Sequence, residues 1–317
     1  MSKKQLSYTL WVEKYRPENI NQVLLPDSTK KFFLQLVKEK EIPNLFLFSS
    51  SPGTGKTTVA KCLVNDIKVD SIYINISLER GIDTLRNRIS KFASSYSMFG
   101  ENEDGKKICI LDEFDGATPE LQNAMRGFME EFQDSCRFII TCNYATKVIE
   151  PLKSRCQSVD FNMTSKEVQE ELKPFIVKRL CGMLKFEKVD FKEETIVKLV
   201  DMFYPDMRRM INLLQHYSKV NGIIDTGVFD VDKVDTEFYQ MVLNRKLTDA
   251  RRFVIERNYN FDEMYRNMFD NFLPLLEKPK QGQVILVIAE YMYRNAFVVD
   301  KEINFTACLL EIMSVLT

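Results

Sequence analysis

Two glycines, a lysine and three threonines in SSPGTGKTTVAKCL, residues 50–63, carry the most specific chemistry in this sequence. The spacing fits GxxxxGK[ST] except at its first position, where Ser50 replaces glycine. Gly53 and Gly55 let backbone N–H groups approach phosphate oxygens, with Thr54 between them and Thr58 just beyond. A helix starting near Lys56 adds the partial positive charge of its N-terminus. Lys56 is spaced to reach the β and γ phosphates of a nucleotide, and the Thr57 hydroxyl to ligate magnesium.

ICILDEFD, residues 108–115, is the complement that such a loop requires. Its apolar residues make a buried strand that delivers Asp112 and Glu113 to the C-terminal edge, where parallel α/β sheets take ligands. Asp112 is the candidate to hold the metal with Thr57. Glu113, pointed differently, is placed to activate an attacking water. Asn143 ends RFIITCN and is spaced to orient that water, although alone it also reads as a turn or cap residue. Arg155, in SRC at residues 154–156, precedes the last strand on an outward edge, where an isolated arginine is ordinarily a surface charge.

These residues need a scaffold. Apolar runs at residues 45–49 (LFLFS), 71–76 (SIYINI), 107–112 (KICILD), 137–143 (RFIITCN) and 157–161 (QSVDF) alternate with helical periods. That alternation predicts a parallel sheet covered on both faces, an α/β domain over residues 1–161. Beyond it the strand signal ends. Thr164 with Glu167 reads as a capping box opening a helical stretch to about Val220, and NGIIDTG at 221–227 interrupts it, giving a small helical domain over 162–228. Residues 229–317 form an all-helical domain with four helical segments, whose apolar positions include Phe253 with Ile255, Met268 with Phe272, and Leu309 with Ile312 and Met313.

The bulk composition narrows the classes further. Of 317 residues, 45% are hydrophobic and 28% charged, with only 11 glycines and 10 prolines, which suits a helix-rich globular protein and excludes general disorder. A net charge of -1 means that any polyanion binding is local. Seven cysteines without a CxxC pair and a single histidine argue against zinc and for thiols in a reducing cytosol. The N-terminus lacks the apolar core of a secretory signal, and the longest apolar run, VILVIA at 284–289, is too short to span a membrane, so a cytoplasmic protein is expected.

Eight stretches together resemble the ordered boxes of sliding-clamp-loader ATPase subunits, an AAA+ family that includes replication factor C small subunits and the clamp-loader large subunit of T4-like bacteriophages. They are WVEKYRP (11–17), SPGTGKTT (51–58), LERGIDTLRN (78–87), LDEFD (111–115), LQNAMRGFMEEF (121–132), TCN (141–143), PLKSRCQ (151–157) and PDMRRMINLLQ (205–215). The resemblance implies an AAA+ module, a helical lid and a C-terminal collar, with ATP and Mg2+ as cofactors. It also implies a sliding clamp, primer-template DNA, identical subunits and one small accessory subunit as partners in a heteropentamer, in the host cytoplasm if the source is a phage.

Residue by residue, it makes Arg155 an arginine finger for the neighbouring subunit's ATP and Arg208 a sensor of the subunit's own γ phosphate. Pro205 stands where the family usually has glycine, so Arg209 remains an alternative to Arg208. Val12, Lys14, Tyr15, Arg16 and Leu24 would line the adenine and ribose pocket. Arg80, Arg86 and Arg88 would track DNA, although RNRISK alone reads as a solvated helix face. Arg80 would also restrain Glu113 until DNA binds, and Gln122 would link the acidic strand to the subunit interface. A hexameric AAA+ motor on DNA and a non-catalytic ATP-bound scaffold are the rival readings.

Overall fold

The computed structural model describes residues 10–79, 81–95, 106–230, 234–256, 259 and 261–316. The chain divides into two compact units, residues 1–225 and 226–317.

The first unit opens with α1 (Trp11–Lys14) and α2 (Asp27–Glu39), then alternates β1 (Leu45–Phe48), α3 (Lys56–Ile67), β2 (Ser71–Asn75), α4 (Ile82–Ser94) and β3 (Lys107–Asp112). It continues with α5 (Pro119–Glu131), β4 (Cys136–Cys142), α6 (Glu150–Lys153) and β5 (Gln157–Asp160). The five strands form one parallel sheet in the order β2-β3-β4-β1-β5. Its two faces are separate cores. Cys109 and Leu111 of β3 join Phe138 and Ile140 of β4 against α4 and α5. Ile108 and Ile110 join Leu45, Leu47 and Ile139 against α2 and α3. Each fully buried aliphatic side chain of this kind contributes roughly 1.5–3 kcal/mol. The period of two then decides where the acid goes: Asp112 shares parity with Ile108 and Ile110, so it points to the α3 face, toward the start of that helix.

β5 is followed by α7 (Lys166–Phe186), α8 (Glu193–Phe203) and α9 (Met207–Asn221). Ser165, not Thr164, caps α7: its hydroxyl accepts the Val168 N–H at 3.3 Å, and Glu167 lies in the first turn beside it. A simple N-cap therefore replaces the capping box, because the extended backbone of Ser165 aims its side chain at the free N–H groups and N3 is Val168, not a glutamate. Strand structure also returns where none was expected. β6 (Asp190–Phe191) and β7 (Ile223–Ile224) pair in parallel, each too short to show a periodicity.

The second unit contains α10 (Val234–Leu243), α11 (Leu247–Glu256), α12 (Phe261–Asn267), α13 (Lys278–Asn295) and α14 (Lys301–Val315), five α-helices among the described residues rather than four segments. A π turn at Met268–Phe272 continues α12 and buries both of those side chains. Phe238, Tyr265, Phe272, Ile288, Phe305 and Ile312 centre the core. Ile255 does not join Phe253 inside. Two positions apart on a helix lie on opposed sides, so Phe253 and Val254 are buried and Ile255 is 42% exposed. No described helix is long and apolar enough to cross a membrane.

Candidate active site

The loop between β1 and α3 turns through Gly53 and Gly55, whose φ angles of +69° and +94° are the left-handed values that glycine takes without penalty. A Cβ on Gly53 would also lie 1.8 Å from Asp206 Oδ1, so this glycine is packed against the first residue of the α9 cap. Ser50, in place of the usual glycine, has no left-handed backbone. Its N–H and hydroxyl donate to Asn162 Oδ1 at 2.7 and 2.6 Å, which fastens the loop to the segment just after β5.

Lys56 is buried, with Nζ 3.3 Å from both Ser51 O and Thr54 Oγ1. Burial pushes its ammonium down to about 8, against the opposing pull of Asp115 and Asp112. Asp112 is also buried, and three hydroxyls converge on it. Thr57 donates to Oδ1 at 2.7 Å, Thr141 donates to the same oxygen, and Tyr73 donates to Oδ2 at 2.5 Å. Glu113 follows at φ +55°, a left-handed turn that ends the strand, and its N–H donates to Thr141 Oγ1 at 3.3 Å. The Asn143 N–H donates to Asp115 Oδ1 at 3.1 Å, tying the end of β4 to the end of β3.

A cleft of about 480 Å³ gathers most of the candidate residues. It is lined by Gly53, Thr54 and Gly55 of the loop, by Lys56, Thr57 and Thr58 in the first turn of α3, by Asp112, Glu113 and Asn143 at the strand ends, by Val12, Tyr15, Arg16 and Leu24 of the N-terminal segment, and by Arg208. The hard oxygen donors of Thr57 and Asp112, already in contact, suit magnesium. Arg209 turns elsewhere, its guanidinium 4.6 Å from the Phe203 ring centroid, so of the two arginines Arg208 is the one in the cleft. α9 starts at Met207 after Pro205, with the Asp206 side chain accepting the Arg209 N–H at 3.0 Å.

Other candidates lie apart. Lys14 is not in the cleft: its ammonium pairs with Glu187 at 2.5 Å and lies over the Phe186 ring, because α1 packs on α9 and beside the end of α7. Arg155 is exposed and outside it, with Nε donating to Glu130 Oε1 at 3.1 Å and Nη1 to Pro151 O at 2.8 Å. Arg88 pairs with Glu79 and Arg86 lies over Phe128, both on α4. Arg80 lies outside the described residues. Gln122 is buried, its amide donating to Ala117 O and Lys147 O at 3.2 and 2.9 Å and accepting the Ile149 N–H at 2.8 Å. It thus joins the segment after β3 to the one leading to α6.

Sequence reasoning missed several lining residues. Tyr73 and Asn75 face the cleft from β2, while Ile72, Ile74 and Ile76 face the core, an alternation readable in SIYINI. Arg179 of α7 has no such signal. It donates to Gln22 O at 2.5 Å and holds the lid against the N-terminal segment.

With this geometry in place, three comparisons bear on the chain. Residues 46–162 match the AAA family, "ATPase family associated with various cellular activities". The chain is 33% identical to the sliding-clamp-loader large subunit of Escherichia phage RB69, over 83% of each chain. It is 33% identical to the replication factor C small subunit of Sulfurisphaera tokodaii, over 96% of this chain and 94% of that one. The protein belongs to the clamp-loader subunit family. As a member of that family it is an AAA ATPase with a nucleotide-binding site. Enterobacteria phage T4 supplies a further relative, a sliding-clamp-loader large subunit 36% identical over 69% of this chain and 67% of its own. Among solved structures, the Thermotoga maritima RuvB Holliday junction branch migration motor superposes with a TM-score of 0.55 at 14% identity, over 78% of this chain and 86% of that one. At that identity the likeness extends to the fold of this clamp-loader family member and no further.

Proposed function

We propose that the chain is the ATPase subunit of a DNA sliding-clamp loader, in which ATP binding assembles a spiral that opens the clamp and primer-template DNA triggers hydrolysis and release. Residues 1–161 act as the nucleotide module, 162–228 as a lid and 229–317 as a collar joining identical subunits and one small accessory subunit. Lys56 and Arg208 bind the terminal phosphates, and Glu113 takes a proton from the attacking water that Asn143 orients. Thr57 and Asp112 hold magnesium, which neutralises phosphate charge when bound. Arg155 completes the adjoining subunit's site. Arg80, Arg86 and Arg88 track DNA phosphates, and Gln122 couples the acidic strand to the segment bearing Arg155.

One observation carries the reading. Lys56, Thr57, Asp112, Glu113, Asn143 and Arg208 line a single cleft, while Arg155 stands on the exposed surface away from it. A cleft that holds its own acid, base and sensor yet leaves the finger outside suits a site finished by a neighbour.

The test is Arg155→Ala in the assembled complex. DNA-stimulated turnover is expected to fall by about 1,000-fold or more, the lower end for a lost arginine finger. ATP binding by the isolated chain should stay within about twofold, since the exposed Arg155–Glu130 pair adds little stability. Unchanged turnover would refute the shared site.

A further inference from the structure

We propose that Tyr73 is a positioning residue for the metal-bound nucleotide: it holds the Asp112 carboxylate in the one rotation that leaves Oδ1 facing Thr57. This inference deepens the ATP-site reading and rests on it.

The register dictates the contact. β2 and β3 run parallel with Asn75 opposite Asp112 and Tyr73 opposite Ile110. Partners in register point to the same face, so Tyr73 lies on the Asp112 face one side-chain step back along the strand. A side chain of tyrosine's length spans that step, and its hydroxyl donates to Oδ2 at 2.5 Å. On the other flank, Lys61 of α3 sits over the Tyr73 ring with Nζ 4.5 Å from its centroid. Lys61 is one helical turn beyond Thr57, so the helix bearing the proposed metal ligand also pins the ring.

Each oxygen of Asp112 therefore has its own restraint. Oδ2 is taken by a phenol fixed in an edge strand, and Oδ1 is shared by two threonine hydroxyls, one of which belongs to the phosphate loop. Rotating the carboxylate would break the Tyr73 bond to Oδ2. Hydrogen bonds to charged groups are the stronger class, and the 39% exposure of Tyr73 places this one at the weaker end of it.

The experiment compares the wild type with Tyr73→Phe and Tyr73→Leu in the full chain, titrating a non-hydrolysable ATP analogue with Mg2+ and then in EDTA. The affinity gained from Mg2+ should fall about fivefold or more in Tyr73→Phe, with the EDTA affinity unchanged within about twofold. Tyr73→Leu, which discards the ring as well, should lose the Mg2+ gain equally while also lowering the melting temperature. Equal loss with and without Mg2+, which would mark mere packing, overturns the proposal, as does a Tyr73→Phe chain with the full Mg2+ gain. A wild type that binds no nucleotide at all would overturn the ATP-site reading itself, a result distinct from either.

Discussion

At the residue scale, Lys56 sets the proton balance of the site. Its ammonium is buried and donates to two neutral oxygens, Ser51 O and Thr54 Oγ1, and burial lowers its pKa to about 8. Between there and the unfolded value near 10.4 the unfolded chain binds more protons than the folded one, so this lysine makes stability rise with pH across that window. A triphosphate reverses the balance by favouring the charged form. Binding at pH 8 should therefore take up about half a proton, and affinity should decline as pH rises through 8. Calorimetry of Mg-nucleotide binding in two buffers of different ionisation enthalpy reads this directly. Lys56→Met should abolish the uptake, and a wild type with no uptake at pH 8 would remove Lys56 from the phosphate contact.

The elements of the site meet at one small contact, the phosphate loop against the N-terminus of α9. Asp206 caps that helix and rests on Gly53, so the loop glycine does two things: it adopts φ +69° and leaves room for the cap. Gly53→Ala should cost about 2 kcal/mol or more, from left-handed strain plus displacement of the helix. Asp206→Ala should cost about 1 kcal/mol as a lost cap. In the double variant the alanine methyl no longer meets a carboxylate, so urea unfolding should show less than the sum of the two losses by at least about 0.5 kcal/mol. Strict additivity would mean that lid and loop do not bear on each other. Contacts of this kind explain what could be read beforehand. β1, α3 and β3 were legible because a strand buried on both faces is a continuous apolar run and the loop has its own glycine spacing. The Gln122 bonds to Lys147 and Ile149, the Asp115 bond to Asn143 and the Tyr73 bond to Asp112 join residues 25 to 39 positions apart, and such pairs depend on tertiary register, which no local pattern encodes.

At the scale of the molecule, charge and apolar surface make different demands. One copy carries a net charge of -1, so the chain lacks a global field to hold DNA, and the proposed DNA role of the α4 arginines calls for several copies to present them together. Assembly in turn needs a surface, and the second unit carries one. Leu286 and Tyr293 are seven residues apart on α13, on one stripe of the helix, and are 72% and 69% exposed. Phe297 extends the stripe, 72% exposed with its ring 5.2 Å from that of Tyr293. The buried core of this unit does not include them, so under the proposed assembly their apolar area is the surface offered to a partner. Leu286→Glu combined with Tyr293→Glu should leave the melting temperature and ATP affinity of the isolated chain nearly unchanged, because both side chains already face solvent. The same pair should break the complex formed with the clamp-loader accessory subunit, shifting native mass from the assembled particle to free chains and abolishing DNA-stimulated turnover. A particle of unaltered mass would show that the subunits join through another face, and a wild-type particle of six copies would favour a ring motor over a five-membered loader.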